Sequence, residues 1–158
     1  MKYLKASLVI LFLWCTPIWS QFEIPEKPAL QTSVYDYVNL LSDQQKVALS
    51  NKLVRYSDST STQIVVTIIA STNGENINYL GANWGQKWGI GQANEDNGVL
   101  LILAKDDRKV AINTGYGVEG SFTDAMTMRI IEQVIIPEFK TGDYYAGLDR
   151  GADAIFSV

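Results

Sequence analysis

The chain has 158 residues, 47% of them hydrophobic, a formal charge of −4, no histidine and one cysteine. These counts exclude histidine-based triads, histidine-ligated zinc, iron–sulfur clusters and internal disulfides. Chemistry is left to carboxylates, hydroxyls, amides, lysine, arginine and backbone, on an acidic chain that repels nucleic acid and attracts cations.

Residues 1–20 read as a signal peptide. Lys2 and Lys5 open it, an apolar run follows from Ala6 to Trp14, and small Ser20 marks the expected cleavage point. Cys15 leaves with the leader, because bulky Trp14 before it is ill suited to lipoprotein processing. A retained anchor is the alternative, although the run falls short of the roughly 20 apolar residues needed to cross a bilayer. Loss of the two lysines takes the formal charge from −4 to −6. No second long apolar run follows, so the mature chain is expected to lack a transmembrane helix and to reside in the periplasm or outside the cell.

Residues 21–33, with Pro25 and Pro28, are expected to form an extended or mobile tether ahead of a domain spanning 34–158. Ser42 and Gln45 have capping-box spacing, and Ala48, Leu49, Leu53 and Tyr56 recur at helical intervals, predicting a helix at about 43–57. The β-branched run at 63–70 predicts a strand covered on both faces. Ile77, Leu80, Gly81, Trp84 and Trp88 form one stripe, predicting a helix at about 76–87 with the tryptophans in the core. Residues 89–97 make a loop, 98–104 a buried strand, 105–108 a hairpin turn and 109–114 the returning strand. A third helix is expected to open near Thr123 and stop before Pro137. Asp143 is placed to cap a last helix with Leu148, Ala152, Ile155 and Phe156 on its apolar side. This order predicts the α/β class: a three-layer α/β/α sandwich around a small mixed β-sheet.

Gly115, Gly117 and Gly120 spell the dinucleotide-binding pattern G-x-G-x-x-G. The acidic Glu119 inside it and its position after a hairpin strand oppose that use, so the glycines are read as left-handed or tight backbone. Acids at element ends are the stronger signal: Asp36, Glu95 and Asp96 with Asn97, then Glu119 and Asp124. Loops at one edge of an α/β sheet converge, and a set of oxygen donors selects calcium, magnesium or manganese. Taken singly, each acid is also explained by a cap or a turn. Asp106 and Asp107 read as a solvated hairpin tip, with Arg108 as the one candidate contact for a phosphate.

Taken in order, VYDYVNLLS at 34–42, QIVVTII at 63–69, WGIG at 88–91, DNGVLLILAKDDRKVAINTGYGVEG at 96–120, FTDAMTMRIIEQVIIPEF at 122–139 and GDYYAGLDRGADAI at 142–155 resemble the TPM domain family. That family includes thylakoid-lumen acid phosphatase proteins and many exported bacterial proteins. The resemblance implies an acidic cleft holding a divalent metal, often calcium, with the family's acidic positions on Asp36, Asp96 and Asp124, Asn97 beside them and Glu119 in the glycine-rich loop. It also implies two competing roles. One is metal-assisted phosphomonoester hydrolysis with Asp36 or Asp96 as nucleophile or base. The other is a non-catalytic module that helps a membrane or envelope complex to assemble or persist.

Overall fold

A computed structural model describes residues 21–91 and 95–158; the expected leader lies outside the described residues. Four strands form one sheet in the order β1 (Val34–Asp36), β2 (Gln63–Ile69), β3 (Gly98–Ala104) and β4 (Lys109–Thr114). The first three are parallel and β4 returns antiparallel to β3. Helix α1 (Asp43–Thr60) joins β1 to β2, and α2 (Ile77–Trp88) joins β2 to β3. After β4 come α3 (Asp124–Ile130), a π-helical turn (Ile131–Ile135), α4 (Ile136–Lys140) and α5 (Tyr144–Phe156). The expected three layers are present. Strand β1 is an addition to the expected set: three residues without a β-branched run carry almost no periodic signal.

Side chains alternate across the sheet and build two cores. Ile64, Val66, Ile68, Val99, Leu101 and Leu103 face α1, α3 and α5, where Leu49, Leu53, Ile135 and Leu148 are fully buried. Val65, Ile69, Leu100 and Ile102 face α2 and its Leu80, Trp84 and Trp88. Burial of each such large apolar side chain contributes about 1.5–3 kcal/mol.

Both parallel connections step in the same direction across the sheet. Uniformly right-handed crossovers would put α1 and α2 on one face. They lie on opposite faces instead, so the two crossovers have opposite hands. The chain therefore leaves the adjacent carboxyl ends of β1 and β2 toward opposite sides, the arrangement that opens a crevice.

The capping box at Ser42 forms as expected: Ser42 Oγ accepts from the Gln45 amide and Gln45 Oε1 from the Ser42 amide. Helix α1 runs one turn past its expected end, to a left-handed cap at Ser61. The third helix does not stop at Pro137. A π-turn, in which the Ile136 amide reaches Ile131 O, re-phases the run so that Pro137 falls in the first turn of α4, where a missing N–H is tolerated. Helix α5 can approach this segment because Gly147 and Gly151 carry no Cβ; one would meet Phe139 or Ile135.

The segment at 21–33, expected as an extended or mobile tether, has no helix or strand and packs against the domain. Phe22 and Ile24 pack against the α2-side core, with the Phe22 ring 5.7 Å from Trp84. The Trp88 indole Nε1 donates to Pro25 O at 2.9 Å, Lys27 Nζ donates to Trp88 O at 2.8 Å, and Lys87 Nζ donates to Ile24 O at 2.8 Å. This strap completes the thin third layer that a single helix cannot cover.

Candidate functional site

A cavity of 480 Å³ lies beside α2 at the end of the sheet where β3 begins and β4 finishes. Gly81, Gly85, Gln86 and Gly89 form its helical wall, Ile90, Gly91 and Gly98 its floor, and Asn113 to Tyr116 its strand side. Among the described residues two carboxylates line it, Asp96 and Glu119, and no lysine or arginine does. Asp96 is in the left-handed region (φ 47°), and its Oδ2 accepts a long bond from the Tyr116 amide at 3.3 Å. Glu119 is exposed and accepts no hydrogen bond among the described residues.

Local sequence explains how the two loops that carry these acids come to border one cavity. Gly117 N–H donates to Asp96 O at 3.0 Å, so the loop after β4 lies directly on the loop before β3. Side chains at Gly115 and Gly117 would overlap the Asp96 and Glu95 carbonyls. Close backbone approach is thus the reason for Gly115 and Gly117, and of the two expected forms the backbone is tightly turned rather than left-handed: none of Gly115, Gly117 and Gly120 has a positive φ.

Asn97 is buried, and its Nδ2 donates to Ser61 O at 2.6 Å and to Glu95 Oε2 at 3.1 Å. It ties the start of β3 to the end of α1. Sequence reasoning missed Asn113, which also lines the cavity. Its Nδ2 donates to Asn78 O at 2.8 Å, while its Oδ1 is screened from solvent and has no partner among the described residues. Strand alternation carries the signal, because Asn113 shares the α2-facing side with Ala111.

The expected five-residue cluster does not assemble. Asp36 ends β1 and aligns with Ile68, which aligns with Leu103, whereas Asp96 precedes Gly98, the partner of Gln63. Five residues of strand, about 16 Å, separate those two levels. The reason is strand direction: Asp36 follows a strand and Asp96 precedes a parallel one, so they lie at opposite ends. Asp36 is engaged where it stands, with Oδ1 accepting from the Val38 and Leu40 amides and Oδ2 from Leu41 at 2.9 Å. Asp124 sits exposed in the first turn of α3, behind the Thr123 cap, and does not line the cavity. Among the described residues no three acids group closely enough to hold a metal ion together.

Arg108 is exposed on the β3–β4 turn, at the Asp36 end of the sheet and away from Asp96. Its neighbour Asp107 is not the solvated tip expected. Asp107 Oδ2 accepts from the Thr72 amide at 2.7 Å and from Thr72 Oγ1 at 3.0 Å, and Oδ1 accepts from Ser71 Oγ at 2.8 Å. The Thr72 amide, with the two hydroxyls, holds the Asp107 carboxyl below the usual carboxylate range. A second cavity, of 410 Å³, opens at this end between the carboxyl ends of β1 and β2, with Phe22, Tyr37, Ile69 and Trp84 in its walls. Its lining is mainly apolar, and Asp36 is not part of it.

The sequence profile of the TPM domain matches residues 34–158. This chain belongs to the TPM domain family. The TPM fold here is similar to the solution structure of the N-terminal domain of a protein from P. gingivalis, at 33% identity and a TM-score of 0.73 over 80% of each chain. It is also similar in fold to the N-terminal domain of a Corynebacterium glutamicum protein, at 19% identity and a TM-score of 0.66, covering 87% of this chain and 88% of that one. The BA42 protein from the psychrophilic bacterium Bizionia argentinensis gives 19% identity and a TM-score of 0.66, covering 77% of this chain and 83% of the other. No curated protein matches the chain. Among the described residues, no helix of this TPM protein is long and apolar enough to cross a membrane.

Proposed function

We propose that this TPM domain is an exported module that binds a divalent cation, calcium best, in the cavity between α2 and the Asp96 and Gly115–Gly120 loops. The observation that carries the reading is the pair of carboxylates, Asp96 and Glu119, lining one cavity with no basic side chain beside them among the described residues. Asp96 and Glu119 would hold the ion. Both donors are hard oxygens, which suits calcium, magnesium or manganese and disfavours softer metals. Loop donors that impose no strict octahedron suit calcium's flexible six- to eight-oxygen geometry, with water completing the shell. Affinity is expected in the range of extracellular modules, about 10⁻⁴ to 10⁻³ M, useful only outside the cell.

The binding role is favoured over hydrolysis. The cavity offers no cation to a phosphate dianion, Arg108 belongs to the far end of the sheet, and Asp36 is separated from Asp96. With the ion in place, the two loops present one ordered surface around exposed Tyr116, suited to a membrane- or envelope-complex partner.

Titration with calcium, followed by backbone amide shifts, tests this. Saturable shifts are expected at Asp96 and 115–119, lost in the Asp96→Asn, Glu119→Gln double variant. Unchanged shifts in that variant would remove the site. Metal-dependent hydrolysis of a simple phosphomonoester, abolished by the same substitutions, would replace the binding role with a phosphatase.

A further inference from the structure

We infer that the strap at residues 22–28 is a positioning element for the acidic cavity, holding the end of α2 so that Gly89, Ile90 and Gly91 form its wall. The inference rests on the cation-binding reading above and adds to it a control from outside the site.

Helix α2 is held on two of its faces. Gly81, Ala82, Gly85, Gln86 and Gly89 border the cavity, while the strap meets Trp84, Lys87 and Trp88. The strap's bonds concentrate on the last turn. Pro25 O fixes the Trp88 ring, Lys27 Nζ satisfies the Trp88 carbonyl, and Lys87 bonds Ile24 O while pairing with Glu26 at 2.8 Å. Helix carbonyls at a C-terminus lack intrahelical partners, and a cation there also complements the helix dipole. Lys27 supplies both.

Directly beyond Trp88 the backbone enters the cavity wall. Gly89 is a left-handed cap (φ 59°), Ile90 N–H returns to Gly85 O at 3.0 Å, and Gly91 N–H donates to Gln63 Oε1 at 2.7 Å. This wall has little tolerance. Gly98 lies so near Ile90 O that a Cβ on Gly98 would overlap it, and Gly98 is two residues from Asp96. A shift of the α2 terminus that displaces Ile90 therefore has to move the start of β3, two residues from Asp96. Packed backbone with no spare volume transmits displacement rather than absorbing it.

The test uses the protein with Lys27→Met, which keeps the stem and loses the bond, and separately with Phe22→Ala, which removes the ring from Trp84. Amide hydrogen exchange of residues 89–91 without added metal and calcium affinity by amide shifts are both read. Faster exchange at Ile90 and Gly91 and about fivefold weaker calcium binding are expected in each variant, with Lys27→Arg close to the parent. Faster exchange with unchanged affinity would show a strap that steadies the wall without serving the site. Unchanged exchange in both variants would show that the strap does not hold the wall at all. If the parent chain gives no saturable response to calcium, the cation reading and this inference fall together; parent binding with unaltered variants sinks only the inference.

Discussion

At the end of the sheet where β1 and β2 finish, Asp36 and Asp107 commit both carboxylate oxygens to backbone amides and hydroxyls. At the end where β3 begins, Asp96 accepts one long bond, and Glu119 lines the same cavity without a partner among the described residues. All four acids sit in or beside turns. The contrast shows that an acid's availability is decided by how many N–H groups its loop turns toward it. A carboxylate that accepts two or three such bonds is a structural fastener, and a ligand would have to compete with them. A carboxylate that lines a cavity with few such bonds keeps its oxygens available to a ligand.

The largest expected effect comes from breaking the saturated end. Asp36→Ala strands the amides of Val38, Leu40 and Leu41 and is expected to cost about 3 kcal/mol, lowering Tm by about 10 °C. A loss below about 1 kcal/mol in chemical denaturation would mean that water replaces the carboxylate, and the contrast between the two ends would weaken.

Asp107→Ala is expected to cost less, about 1–2 kcal/mol, mainly by leaving the buried Thr72 hydroxyl unpaired. Its pH dependence sharpens the point. The folded pKa of Asp107 lies below its unfolded value, so its contribution is complete above the ordinary aspartate pKa of about 3.9. That contribution fades as pH falls through the folded value. The stability gap between parent and Asp107→Ala should therefore be constant near neutrality and close in acid; a gap that widens in acid contradicts the assignment.

The smallest effect on stability belongs to the other end. In chelator, Asp96→Asn or Glu119→Gln should alter stability by no more than about 0.5 kcal/mol, as exposed positions with few bonds do. A loss as large as that of Asp36→Ala would make Asp96 another fastener.

Much of the fold was legible because its signals are local. The capping box at Ser42, the β-branched run in β2 and the apolar stripe of α2 each act over a few residues, and each element formed within a turn of its expected bounds. Less legible were β1, too short for a period, and the passage through Pro137, where packing against Gly147 and Gly151 supports a π-turn that helix-stop rules do not anticipate. The strap was also hidden. Its prolines suggest only a tether, whereas its anchors are Trp84, Lys87 and Trp88, some sixty residues away.

By itself, the sequence determined most element types, the α/β class and the exclusion of histidine from any chemistry, since these follow from composition and short-range spacing. Tertiary structure alone decided which acids share a cavity. Parallel strands send the residue after one strand and the residue before the next to opposite ends of the sheet, parting Asp36 from Asp96. The antiparallel return of β4 carries Glu119 back to Asp96, and the same hairpin delivers Asp107 to the end of β2.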